Sequence, residues 1–183
     1  MSSKLRINYI LPKSRANGPG LRFTLWVQGC SIHCPGCTNV TTWDPAGGQE
    51  VLVDDLIKQI KDLPPPLHGI TITGGEPLDQ FNPVYELCSK LFGFTSIFLT
   101  TGYTLKQILQ KKYTKIADVL DILCVGPFDK DQVCKNQWKG SSNQEVIFLS
   151  DDGWAQSTMP VISQEIVIDQ SGNSIITGFT KNV

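Results

Sequence analysis

Residues 21–37 read LRFTLWVQGCSIHCPGC, an apolar run that leads directly into three cysteines spaced C-x3-C-x2-C. Residues 21–28 are rich in aromatic, β-branched and aliphatic side chains, which predicts a β-strand. Cys30, Cys34 and Cys37 then occupy the loop at the carboxyl end of that strand. Thiols placed this close together favour a bound group, and a disulfide, a zinc ion and an iron–sulfur cluster are all open at this point.

Length and charge narrow the class of protein. The 183 residues are most simply one domain, and the net charge of −1 provides no basic field for nucleic acid or an anionic membrane. The start of the chain lacks a signal-peptide pattern, and no segment approaches the ~18 apolar residues of a membrane span. We therefore expect a cytoplasmic protein, in which clustered cysteines bind metal or do chemistry more often than they form disulfides.

Helical and strand patterns alternate along the chain after the cysteine loop. Residues 53–63 and 82–94 carry apolar side chains at helical spacing, with Asp54 and Asn82 as candidate N-caps. A third helix pattern occupies residues 104–113 and begins with the capping-box pair Thr104 and Gln107. Further strand patterns occupy residues 68–77, 96–102, 117–128 and 145–149.

This alternation predicts an α/β fold with a mainly parallel sheet covered by helices. A complete eight-fold barrel needs about 250 residues, so the sheet should form an incomplete, open (βα) barrel. Residues 164–179 alternate around QSGN and predict a terminal β-hairpin. We expect a single domain over residues 1–183, with a core of about 5–150 and a C-terminal extension of about 151–183.

Three strand ends carry residues typical of a binding site: Gly29–Cys37, Gly74–Glu76 and Thr100–Gly102. Parallel α/β folds bind their ligands at the carboxyl ends of the strands, so we expect these segments to lie on one face. Taken singly, the two glycines also fit a tight turn, and the threonine pair also fits an ordinary strand end.

The order of these motifs resembles the radical S-adenosylmethionine (SAM) superfamily. Within it, the chain resembles the small activating proteins of anaerobic ribonucleotide reductase over most of its first ~150 residues. Two features depart from that family: Val125–Gly126 stands where its members read Asp-Gly, and residues 164–179 have no counterpart that we can place. The matching segments are NGPGLR, GCSIHCPGC, TGGEPL, TTGYTL, VGPF and WKGSSNQ, the last of which would close the SAM pocket or contact a partner.

The resemblance implies one [4Fe-4S] cluster and SAM as cofactors. Cys30, Cys34 and Cys37 would be the iron ligands and the catalytic residues, and three thiolates leave one iron open to a small molecule. In the family, SAM occupies that iron, and an electron from the reduced cluster cleaves it to a 5′-deoxyadenosyl radical that removes hydrogen from the substrate. The other implied SAM contacts are Gly36, Thr38 and Asn39 to the adenine, Gly74 and Gly75 to the methionine end, Glu76 to its ammonium, and Thr100 and Thr101 to the ribose.

The leading functional prediction is an activase that docks onto a larger enzyme and generates a glycyl radical there. Such a protein would also need an electron donor such as flavodoxin or ferredoxin. Hydrogen abstraction from a peptide or small metabolite is the alternative enzyme function, and a zinc-binding interaction module with His33 as the fourth ligand is the non-enzyme alternative. Cys88, Cys124 and Cys134 are too dispersed to form a recognisable second cluster motif.

Overall fold

A single seven-stranded sheet forms the body of the protein in the computed structural model, which describes residues 2–110, 113–134, 138–160, 162–168, 171–172 and 174–178. The strands are β1 (Lys4–Ser14), β2 (Arg22–Val27), β3 (Gln49–Leu52), β4 (Gly69–Gly74), β5 (Ser96–Thr101), β6 (Ile122–Val125) and β7 (Glu145–Phe148). Their order across the sheet is β3-β1-β2-β4-β5-β6-β7. Because β3 and β7 end this order without pairing to each other, the sheet is open, as predicted.

The central strands β2, β4, β5 and β6 pair in parallel, whereas β1, β3 and β7 add antiparallel pairs at the two sides. The mainly parallel α/β fold predicted from the sequence is therefore confirmed. In the observed register Val27 lies opposite Gly74, and Thr101 lies opposite Val125. The carboxyl ends of the four parallel strands consequently form one edge of the sheet.

Helices cover the sheet, and α1 and α2 each bury one apolar face. In α1 the buried residues Val53, Leu56 and Ile60 follow helical spacing, and α2 buries its apolar side in the same way, including Cys88. Among the described residues, no helix combines the length and apolar character needed to cross a membrane. The α-helices are α1 (Val53–Lys61), α2 (Phe81–Leu91), α3 (Leu105–Gln110) and α4 (Asp151–Gln156), and short 3-10 helices span Val40–Thr42, Pro77–Gln80, Thr114–Val119 and Lys130–Gln132.

The N-cap predicted for α1 was wrong. Asp54 lies in the first turn, and Leu52 stands at the cap position because β3 runs straight into the helix. The free backbone N–H groups are bound by the start of the chain instead: Val53 donates to the Ser3 carbonyl at 3.0 Å, and Asp54 donates to Ser2 Oγ at 3.0 Å. A contact between distant segments thus replaces the local cap.

For the next two helices, the predicted N-cap of α2 was wrong and the predicted capping box of α3 is confirmed. Gln80, not Asn82, stands at the N-cap of α2, because the preceding 3-10 helix continues into it. The capping box before α3 is present: the Thr104 N–H donates to Gln107 Oε1 at 2.9 Å, and the Gln107 N–H donates to Thr104 Oγ1 at 3.3 Å.

The NGPGLR motif lies at the amino ends of the strands. Arg22 is fully buried, and its guanidinium donates to Thr71 Oγ1 at 2.9 Å and to the carbonyls of Ile70 and Ser96 at 2.6 and 3.0 Å. Burial lowers the pKa of Arg22 to about 9, while Asp121 raises it. This motif therefore ties three neighbouring strands together at the end of the sheet opposite the cysteines.

The predicted C-terminal hairpin is present as β8 (Gln164–Ile168) and β9 (Ser174–Gly178), while residues 169, 170, 173 and 179 of the predicted segment lie outside the described part. Ser14 Oγ donates to Glu165 at 2.7 Å, and Asn17 Nδ2 donates to Thr177 Oγ1 at 2.8 Å. The hairpin is thus bonded to the end of β1 and the segment after it. The assignment of residues 1–183 to one domain stays a prediction.

Candidate active site

One cavity of about 240 Å³ lies at the carboxyl edge of the parallel strands. All three strand-end segments singled out in the sequence reach it, as their topology predicts. The eleven predicted site residues all line this cavity: Cys30, Cys34, Gly36, Cys37, Thr38, Asn39, Gly74, Gly75, Glu76, Thr100 and Thr101.

Backbone hydrogen bonds hold the cysteine loop at both ends. The Gly29 N–H donates to the Thr42 carbonyl at 2.7 Å, and the Cys30 N–H donates to the Trp43 carbonyl at 3.2 Å. Between the second and third cysteines the chain turns tightly, with the Cys37 N–H donating to the Cys34 carbonyl at 3.1 Å. These bonds fix the backbone of the loop, and all three cysteines line the same cavity.

Gly36 sits where the cysteine turn meets the loop after β6. Its φ of +76° lies in the left-handed region, and a Cβ added there would lie 2.9 Å from Lys130 Cβ. Both facts favour glycine at this position. The close packing brings the cysteine turn and the β6 side of the cavity together.

Two thiols of the loop, those of Cys30 and Cys34, have a raised pKa and therefore ionise less readily than ordinary thiols. Burial raises the pKa of Cys30, and the nearby carboxylates Glu76 and Asp79 raise it further, although backbone N–H groups oppose this. Burial likewise raises the pKa of Cys34. A bound cation must therefore displace these protons, as metal binding to cysteine commonly does.

The geometry does not assemble the zinc site considered above. His33 stacks on Trp43 with ring centroids 4.6 Å apart. Among the described residues, no three His, Cys, Asp or Glu side chains form a group suited to a single metal ion. An iron–sulfur cluster has no such requirement, because each of its thiolates binds a different iron. The three cysteines and their cavity therefore fit a cluster better than a single ion.

Glu76 is the most deeply buried acid of the cavity, with 1% of its surface exposed. Its Oε1 accepts hydrogen bonds from the Leu78 N–H at 2.9 Å and Thr101 Oγ1 at 2.7 Å, and its Oε2 accepts one from the Gly102 N–H at 2.8 Å. Burial raises the pKa of Glu76 to about 7 against the effect of these three donors. Since a carboxylate oxygen can accept two hydrogen bonds, Oε2 retains capacity for one more donor.

The two threonines differ in their partners. Thr101 is buried and donates to Glu76, so its hydroxyl is already used in joining β5 to the turn after β4. Thr100 is half-buried, and its hydroxyl bonds to Thr73 Oγ1 at 2.8 Å on the neighbouring strand. Thr100 is consequently the more available of the pair to a bound molecule.

Comparison with known proteins decides the family. A family model described as a 4Fe-4S single cluster domain matches residues 16–147. The anaerobic ribonucleoside-triphosphate reductase-activating protein of Enterobacteria phage T4 is 32% identical over 156 residues, which cover 81% of this chain and 98% of that protein. The protein of the same name from Escherichia coli K12 is 34% identical over 147 residues, 75% of this chain and 95% of its own. The chain belongs to this activating-protein family.

The family assignment confirms the resemblance and identifies a radical SAM enzyme with one [4Fe-4S] cluster and SAM as its cofactors. Among solved structures, the crystal structure of QueE from Escherichia coli is similar, with a TM-score of 0.44 and 21% identity, covering 55% of this chain and 54% of that chain. The cavity of the present chain offers three thiols, a buried carboxylate and strand-end glycines to such cofactors.

The WKGSSNQ loop, expected to close the SAM pocket or contact a partner, contributes Trp138, Lys139, Gly140 and Gln144 to the cavity wall, but none of these residues was predicted individually. The WKGSSNQ loop folds back on the VGPF segment, with Gln144 Nε2 donating to the Gly126 carbonyl at 2.8 Å and Lys139 Nζ donating to the Gln144 carbonyl at 2.8 Å. The sequence match of this loop to the family was the available signal, but its individual contacts have no sequence pattern. The missed lining residues include Ile32, Trp43, Gly102, Cys124, Phe128, Lys130, Trp138 and Lys139.

The buried carboxyl of Glu76 makes a pH-dependent contribution to stability. Its folded pKa of about 7 exceeds the ordinary value of 4.5, so its contribution is complete below pH 4.5 and is lost as the pH rises through 7. We expect this loss to reach about 3 kcal/mol in the cofactor-free protein. Glu76→Gln should remove this dependence, although it costs stability at every pH. Urea unfolding at pH 5 and pH 8 measures the difference.

Glu86→Gln is the matched control. Hydrogen bonds from Lys90 and Ser3 lower the pKa of Glu86 to about 2, the opposite direction. Its contribution is therefore present above the ordinary value of 4.5 and is lost on acidification, so this variant should leave the fall between pH 5 and pH 8 in place. An unchanged fall in Glu76→Gln would show that another group causes it.

Proposed function

We propose that this protein activates an anaerobic ribonucleoside-triphosphate reductase by removing a hydrogen atom from one glycine of that enzyme. The observation that carries the proposal is the convergence of the cysteine loop, the Gly74–Glu76 turn and the threonine pair on one cavity. The match to activating proteins over 95–98% of their own length supports the same function. The electron donor in this proposal is a small redox protein such as flavodoxin or ferredoxin, and the location is the cytoplasm.

The cysteines hold the cluster in this proposal. Cys30, Cys34 and Cys37 would each bind one iron of the cluster, which would leave one iron without a protein ligand and available to SAM. When bound, the cluster supplies the single electron that cleaves SAM reductively. The protein itself contributes a fixed loop, held by Gly29 and Cys30 through the backbone, and an apolar wall beside the thiols that includes Ile32 and Phe128.

The strand ends bind and orient SAM. The bare backbone of Gly74 and Gly75 would allow the methionine end to approach, and Glu76 Oε2 would accept a hydrogen bond from the SAM amino group. The hydroxyl of Thr100 lies on the ribose side, and Thr101 positions Glu76. On the cysteine side, Gly36, Thr38 and Asn39 line the adenine.

The open sheet supports a protein substrate. No strand joins β3 to β7 in the described part of the chain, so one side of the barrel is not closed by the sheet. A glycine held on a loop of a larger enzyme presents little bulk and can approach a cavity from such a side. Direct abstraction from glycine therefore suits an open barrel.

The test is anaerobic activation of the reductase encoded in the same genome. The protein is reconstituted with iron and sulfide, reduced, and incubated with SAM and that reductase, and electron paramagnetic resonance then detects a glycyl radical. We expect a doublet on the reductase, formed together with 5′-deoxyadenosine. A reductase whose radical-bearing glycine is replaced by alanine is the control and should give no doublet.

Two results would overturn this function. Cluster-dependent 5′-deoxyadenosine without any radical on the reductase would indicate a peptide or small metabolite as substrate. Stoichiometric zinc with no reconstitutable cluster would remove the radical chemistry altogether and leave a metal-bound interaction module.

A further inference from the structure

Both chain neighbours of Cys30 are hydrogen-bonded to the turn after β4. The Gly29 carbonyl accepts the Glu76 N–H at 2.8 Å. Ser31 donates its backbone N–H to Asp79 Oδ2 at 2.7 Å and its hydroxyl to Asp79 Oδ1 at 2.9 Å. Within the turn, the Asp79 N–H donates to the Glu76 carbonyl at 3.1 Å. The segment that carries Glu76 therefore holds the first cysteine from both sides.

A tyrosine from the segment after β5 holds the Asp79 carboxylate in place. The Tyr103 hydroxyl donates to Asp79 Oδ1 at 3.1 Å and lies 3.2 Å from Ser31 Oγ. Tyr103 is itself buried, and its backbone N–H donates to Thr101 Oγ1 at 3.1 Å. Asp79 is exposed, so this contact reduces the conformational entropy that its carboxylate loses on binding Ser31.

The backbone between the first two cysteines needs such support. His33 has a φ of +52°, in the left-handed region that residues other than glycine rarely adopt. A strained backbone of this kind persists only where surrounding contacts hold it. The bonds from Ser31 to Asp79 lie two residues away, and hydrogen bonds to a carboxylate are about twice as strong as those between neutral groups.

We propose that Asp79 is a positioning residue for the cluster, because it fixes Cys30, through Ser31, relative to the turn that carries Glu76. This inference rests on the proposed function, in which Cys30 binds the cluster and Glu76 binds SAM. Two cofactors that react with each other must be held at a fixed spacing, and a misplacement of roughly 1 Å can slow a reaction about a hundredfold. Asp79 acts on the cluster through Ser31 and is not itself a ligand.

Two substitutions at position 79 separate the hydrogen bonds from other effects. Asp79→Ala removes both acceptors of Ser31. Asp79→Asn keeps one oxygen for the Ser31 N–H, and its amide nitrogen can donate to the hydroxyl of Ser31 or Tyr103, since a hydroxyl both donates and accepts. Asp62→Ala is the matched control, because Asp62 is an exposed aspartate at the C-terminal end of α1, which leads to the amino end of β4.

The first measurement is amide hydrogen exchange by nuclear magnetic resonance on the metal-free protein, which depends on neither cluster nor turnover. We expect Asp79→Ala to accelerate exchange of the Ser31 amide at least about tenfold, and Asp79→Asn to recover most of the protection. The amides of β4 should exchange at the unsubstituted rate in both variants. The second measurement is the rate at which a ferrous-iron chelator removes iron from the reconstituted protein. This rate should rise in Asp79→Ala, return towards the unsubstituted value in Asp79→Asn, and stay unchanged in Asp62→Ala.

Several outcomes would overturn the inference. Unchanged Ser31 exchange in Asp79→Ala, or no recovery in Asp79→Asn, would show that the carboxylate does not hold the loop, and faster exchange throughout β4 would indicate a general loss of stability. Iron release that does not depend on Asp79 would overturn the inference alone. An unsubstituted protein that assembles no cluster would overturn it together with the proposed function. A cluster stabilised by Asp79 but no glycyl radical on the reductase would overturn the proposed function alone.

Discussion

Replacing Cys30, Cys34 or Cys37 by alanine should abolish both cluster assembly and SAM cleavage. The three cysteines line one cavity, and in the proposed site each thiolate would bind a different iron, so no neighbouring thiol would substitute for a missing one. We expect iron and acid-labile sulfide to fall to background after anaerobic reconstitution. We also expect 5′-deoxyadenosine formation to fall below detection. Cleavage at the unsubstituted rate by any of the three variants would show that its thiolate is not a required ligand.

Cys88→Ala and Cys124→Ala are the matched controls. Cys88 is fully buried in α2, and burial raises the pKa of its thiol well above the ordinary range, so it acts as a small apolar side chain. Its replacement should cost about 1 kcal/mol of unfolding free energy and leave the cluster intact. Cys124 lines the cavity and is the stricter control, because loss of the cluster in this variant would reveal a fourth ligand.

The site could be predicted because each of its parts follows the carboxyl end of a parallel strand. Parallel strands end at one edge, so any residue just after such a strand faces the same region. This geometry brought Cys30, Glu76 and Thr100 together from sequence positions far apart. The resemblance to known motifs then supplied the chemistry, which strand topology alone does not.

The strand pairing at the side of the sheet that contains β1 was harder to predict than that of the central parallel strands. The alternation of Leu5 and Ile7, both fully buried, would have indicated β1. β2 follows it directly, but the antiparallel pairing of β1 with β3 depends on a partner far along the chain. The same reason explains the missed α1 cap, where Ser2 and Ser3 supply acceptors that local sequence rules do not consider.

The position of Trp43 in the cavity wall could not be anticipated in the same way. The segment after the cysteines shows no helical or strand periodicity, and its position depends on the amide of Gln28 reaching two carbonyls more than ten residues away. Such contacts follow no spacing rule, because a buried amide bonds whichever carbonyls the fold brings near it. Tertiary structure was therefore needed to place Trp43 beside the cysteine loop.

Gly75→Ala should destabilise the protein by about 4 kcal/mol or more and prevent cluster assembly. An added Cβ would collide with the Gly29 carbonyl oxygen, lie 2.8 Å from its carbon, and approach the Thr42 carbonyl oxygen at 3.2 Å. These are backbone atoms, which cannot rotate away. Relief of the collision must move Gly29, and Cys30 moves with it.

Gly93→Ala separates this collision from a general effect of replacing glycine. Gly93 has a φ of +78° but no atom within 4 Å of an added Cβ, so its replacement carries only the cost of left-handed backbone, about 1 kcal/mol. Thermal unfolding and iron content measured on both variants should therefore diverge: a small stability loss with a complete cluster for Gly93→Ala, and a large loss without a cluster for Gly75→Ala. Normal iron content in Gly75→Ala would mean that the turn after β4 can withdraw from the cysteine loop, and that the close packing of Gly75 on Gly29 is not what holds Cys30 in position.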